Sequence, residues 1–64
     1  MDEDDAELIV QLCARAGMIM EDISADAVTL RGKSLTERRD VIERLQVAAR
    51  RIGALANAAE ALFK

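Results

Sequence analysis

Apolar residues return along this chain at intervals of three and four, the spacing that lines up side chains on one face of an α-helix. Between Asp5 and Gly17 that stripe consists of Leu8, Ile9, Leu12, Cys13 and Ala16. Asp4 stands where it would cap this first helix, Glu7 three residues on would complete a capping box, and Gly17 would supply a left-handed stop. The acids at this end also suit the positive pole of the helix dipole.

The clearest element comes last. Ser34-Leu35-Thr36-Glu37 is a capping box, and the pattern predicts a helix from Leu35 to about Phe63. At 1.5 Å per residue it would be on the order of 43 Å long, against about three turns for an average globular helix. Positions 35, 38, 42, 45, 49, 52, 56, 59 and 63 read as the a and d sites of a heptad, with Val41, Ala48, Leu55 and Leu62 adding the g sites. The stripe is wider than a two-stranded seam requires and suits a helix packed against two or three neighbours. Gly53, Ala56 and Ala59 would let a neighbour come close.

From Met18 to Lys33 the pattern is mixed. Ile19, Ile23, Ala27 and Leu30 fit a helix, and Ser24 could cap a short one ending near Arg31-Gly32. Val28-Thr29-Leu30 has the alternation of an extended stretch. Helix is the preferred reading, either broken or continuous. The expected fold is all-α: one domain, 1–64, of two to three helices with a long C-terminal helix, its bundle completed by a second copy.

Size is the reason for invoking a second copy. A chain of 64 residues buries only roughly 60% of the surface its unfolded form exposes, so its core is marginal alone. Small domains offset this with disulfides, a metal or a partner subunit. A single cysteine, Cys13, and no histidine leave no internal disulfide and no Cys/His zinc site. Self-association remains.

Net charge is -3, but it is unevenly spread. Up to Leu30 there are eight acids against Arg15 alone; from Arg31 on there are eight bases against four acids. An acidic N-terminal helix folding back on a basic C-terminal helix would account for this. The start Met1-Asp2-Glu3-Asp4-Asp5 is opposite in charge to a signal peptide, and apolar runs such as Met18-Ile19-Met20 are far short of a bilayer span. A cytoplasmic protein without membrane contact is expected.

Candidate chemistry is sparse. Gly32-Lys33-Ser34 ahead of a helix resembles the end of a phosphate-binding loop, but the first glycine of that pattern would fall at Ala27, and the segment reads more simply as a helix stop followed by an N-cap. A helix-turn-helix reader centred on Gly17 would carry Glu21, Asp22 and Asp26 on its recognition helix, where phosphates repel them. Among the arginines of the last helix, Arg44, Arg50 and Arg51 are the candidate nucleic-acid contacts, alongside Arg38 and Arg39. Asp40 with Arg44 and Arg39 with Glu43 also form i,i+4 pairs on a solvated face, and without Tyr or Trp there is no stacking platform. Cys13 reads as a small buried hydrophobe, and Met18, Ile19 and Met20 as gap-fillers or an adaptable groove. No acid–base or nucleophilic constellation is present, so neither an enzyme nor a cofactor is expected.

Function is then read as interaction: a homo-oligomeric adaptor or regulatory subunit, a dimer in the first instance. The expected interface is Leu45, Ile52, Leu55, Ala56, Ala59, Leu62 and Phe63, left uncovered because the first helix is too short to shield them. A nucleic-acid accessory protein and a small subunit of a hetero-complex are the alternatives.

Overall fold

The computed structural model describes residues 2–63, and two helices of nearly equal length account for most of them. Helix α1 spans Glu3–Val28 (26 residues), a 3-10 turn covers Leu30–Gly32, and helix α2 spans Leu35–Ala61 (27 residues). They pack as an antiparallel hairpin. Its Cα atoms extend 49 × 15 × 10 Å with a radius of gyration of 15.1 Å. A compact chain of this length would have a radius of gyration of about 11 Å. The hairpin is thus a flat rod.

The start of α2 is as expected. Ser34 Oγ accepts a hydrogen bond from the Glu37 N–H at 3.2 Å, and Glu37 Oε1 accepts one from the Ser34 N–H at 3.3 Å, completing the capping box. The helix itself ends at Ala61, slightly before the expected boundary.

The start and end of α1 differ from expectation. Its cap is Asp2, whose Oδ1 accepts from the Asp5 N–H at 3.0 Å, rather than Asp4. Gly17 does not stop it: no glycine among the described residues has positive φ, and α1 runs on through Ser24, which caps nothing. A mid-helix glycine costs roughly 1 kcal/mol in propensity, and the continuous contact with α2 on either side of Gly17 outweighs that. The mixed segment is therefore the second half of α1. It closes in a 3-10 turn, where Lys33 N–H donates to Leu30 O at 3.1 Å and Thr29 Oγ1 donates to Asp26 O at 3.0 Å.

One seam holds the hairpin together. On α1 the shielded positions along the seam are Asp5, Ile9, Leu12, Ala16, Ile19, Ile23 and Ala27, with Leu30 following in the 3-10 turn; Gly17 and Asp26 beside them are half-buried too. On α2 the seam positions are Val41, Leu45, Ala48, Ile52, Leu55 and Ala59, with Leu62 just past its end and Gly53 half-buried beside the seam. Both runs advance in steps of three and four, so each keeps facing the other as the pair coils. Within this seam Val41 is fully buried (0% exposed), and Ala48 and Ala59 are buried with 8% and 7% exposure. The seam corrects the heptad frame read from the sequence: α1 covers the d and g stripes of α2 and leaves the a sites, Leu35, Ile42, Ala49, Ala56 and Phe63, in solvent.

Candidate functional site

The hairpin has two broad faces, and the seam defines them. In an antiparallel pair, the residues one step after each seam position fall on the same side of both helices, and those one step before fall on the other.

The face one step before the seam is charged. Arg15, Asp22 and Asp26 of α1 meet Asp40, Arg44 and Arg51 of α2 there. Asp22, Asp26, Asp40, Glu43, Arg44 and Arg51 surround an open groove of about 760 Å³ floored by Ile19, Ile23 and Ala48. Arg44 Nη1 reaches Asp26 Oδ2 across the hairpin at 3.4 Å, so it does not make the expected pair with Asp40. Arg39 does pair with Glu43, at 4.0 Å. Arg44 and Arg51 thus stand among carboxylates, while Arg50 is exposed outside the groove. The acids offset the arginines' attraction for a phosphate backbone.

The opposite face is almost free of charge. From α1 it takes Val10, Cys13, Gly17, Met20, Ser24 and Val28. From α2 and the residue pair after it come Ile42, Ala49, Gly53, Ala56 and Phe63, with Gln46 as a neutral polar group and Glu60 as a charge; Arg31 and Arg39 border the face at the turn. Val10 is 60% exposed, Val28 77% and Phe63 70%. Leu35 extends this surface toward the turn. Cys13 is exposed here and not a core residue, and the methionine cluster divides: Ile19 enters the seam, Met20 joins this face, and Met18 lies on the other side.

The expected interface residues separate in the same way. Leu45, Ile52, Leu55, Ala59 and Leu62 pack into the seam against α1, and only Ala56 and Phe63 lie on the uncovered face. The reason is the length of α1. Because it continues to Val28, α2 does not outrun it, and what stays uncovered is a side of the hairpin rather than the end of a helix. The signal for this face was in the sequence, in the a sites of α2 and in the apolar residues Val10, Met20 and Val28, which the helical stripe of α1 does not need.

Charge is also divided along the rod. The antiparallel fold puts Asp2, Glu3, Asp4, Asp5 and Glu7 beside the end of α2, where Glu60 lies, and puts Arg31, Lys33, Arg38 and Arg39 around the turn. Among the described residues Asp26–Arg44 is the one ion pair joining the helices, so the two charge clusters do not neutralise each other within the chain.

No helix among the described residues is long and apolar enough to cross a membrane. No group of three or more potential metal-ligating side chains occurs among them. No protein-family model, curated protein or solved structure matches the chain.

Proposed function

We propose that this protein is a small protein–protein interaction module, a homo-oligomeric adaptor or regulatory subunit that associates through its uncharged broad face. The observation that carries this reading is the contrast between the faces: one holds seven charged groups at its fifteen flanking positions, the other only Glu60 and, at the turn, Arg31. A solvated helix pair has no reason to sort its charges so unevenly, whereas a surface that must lose water does.

Surface area supports the same reading. The chain exposes 5081 Å², about a quarter more than the roughly 4,000 Å² of a compact protein of its mass. The broad face, 49 × 15 Å between Cα atoms, encloses on the order of 700 Å², close to the roughly 800 Å² per partner of a stable interface.

Sedimentation equilibrium of the wild type and of Ile42→Glu tests the proposal. Ile42 is half-exposed and outside the seam, so the variant keeps its helicity. A wild-type dimer that becomes a helical monomer on substitution is the expected result. A wild type that stays monomeric at high micromolar concentration would refute it.

A further inference from the structure

The uncharged face is laid out nearly symmetrically about its middle. On α2, moving outward from Gly53, Ala49 matches Ala56, Gln46 matches Glu60, and Ile42 matches Phe63. On α1, moving outward from the interval between Gly17 and Met20, Cys13 matches Ser24 and Val10 matches Val28. Counting seam positions outward from the Asp26–Arg44 pair brings Ile19 level with Ile52, so the two centres lie at the same height on the rod.

A surface that reads alike in both directions fits itself after a half-turn about an axis through its centre. We infer that the face binds a second copy of this chain with its turn at the opposite end, the two-fold axis crossing the helices at the level of Ile19 and Ile52. The inference rests on the self-association proposed above and adds the identity and direction of the partner.

This axis stacks α1 on α1 and α2 on α2, each running against its copy. Phe63 then meets Ile42 of the second copy, and Val10 meets Val28. Met20 settles over Gly17, a knob against a flat spot. Gln46 comes level with Glu60 of the second copy, where its amide N–H can donate to the one carboxylate on the face.

Two further observations agree. The first is charge. Opposed turns bring the acids Asp2–Glu7 of each chain against Arg31 and Lys33 of the other, whereas turns at the same end would stack acid on acid and base on base. The second is the glycines. A Cβ added at Gly17 or Gly53 meets nothing within 4 Å, and neither has positive φ, so the hairpin itself requires neither glycine. Both lie at the centre of the face, where a second pair of helices approaches closest.

The test mixes separately purified single-thiol chains made on a Cys13→Ser background and treats them with a short bifunctional thiol reagent. Val10, Val28 and Phe63 are well exposed, so substituting them leaves the hairpin folded, which circular dichroism verifies. Val10→Cys mixed with Val28→Cys should give a cross-linked species of twice the chain mass, and Val10→Cys mixed with Phe63→Cys should give none. The reverse result means turns at the same end and overturns the inference while leaving self-association intact. A sedimenting dimer that links in neither mixture also overturns it. A wild-type monomer removes the self-association reading as well.

Discussion

Arg38 Nε donates to the carbonyl of Leu30 at 2.9 Å, and its Nη2 donates to the carbonyl of Arg31 at 3.1 Å. One guanidinium from the first turn of α2 thereby ties down the carbonyls of the 3-10 turn that ends α1. Its planar fork spans both acceptors, which a lysine ammonium does not match. Arg38→Ala should therefore lower stability by about 1 kcal/mol, the exposed setting keeping the loss modest, and Arg38→Lys should recover little of it. Urea denaturation of the three proteins gives the comparison.

The capping box at Ser34 has a pH signature. Hydrogen bonds from the Ser34 backbone, and then from its side chain, hold the Glu37 carboxyl below its ordinary value. A depressed carboxyl stabilises the fold above its unfolded pKa, so the contribution is complete at neutral pH. It is lost as pH falls through the lower, folded pKa. Ser34→Ala should cost about 1 kcal/mol at neutral pH. The difference from wild type should narrow in acid, which thermal melts at both pH values would follow.

Seam and face variants should fail differently. Leu55→Glu places a carboxylate between the helices and should abolish most of the helical signal, while Ile42→Glu should leave it unchanged. Val41→Ala removes two methyl groups from the most deeply buried side chain and should cost about 2 kcal/mol. If Leu55→Glu keeps full helicity at low micromolar concentration, the helices do not depend on this seam.

Gly17→Ala and Gly53→Ala should each stabilise the isolated hairpin by roughly 0.5–1 kcal/mol, since both glycines are helical and the added methyl meets open space. The same changes should weaken association, because that open space is where the second copy would sit. The opposed effects can be read by melting an Ile42→Glu background and by sedimenting the otherwise native chain.

Association should also weaken as salt rises, because opposed turns place unlike charge clusters together and ions screen their attraction. Equilibrium sedimentation across a salt series measures this. An affinity that increases steadily with salt would indicate like charges at the contact.

What the sequence determined was local. Capping chemistry needs only a serine and a glutamate three residues apart, so Ser34 and Glu37 located the start of α2 without reference to the rest of the chain. Three-and-four spacing likewise marked both helices, and the lack of a second cysteine or any histidine removed disulfide and Cys/His zinc stabilisation. What the sequence left open depended on contacts between distant residues. Gly17 reads as a stop because its intrinsic propensity is poor, yet packing on both sides of it carries α1 through to Val28. The a and g stripes of α2 are both apolar, and periodicity alone does not say which of them the other helix covers. The antiparallel register decided that, burying Val41 and Ala48 and leaving Ile42 and Phe63 in solvent. The same register separated the acids of the first turn from the bases around the second cap, which only the placement of the two helix ends in space determines.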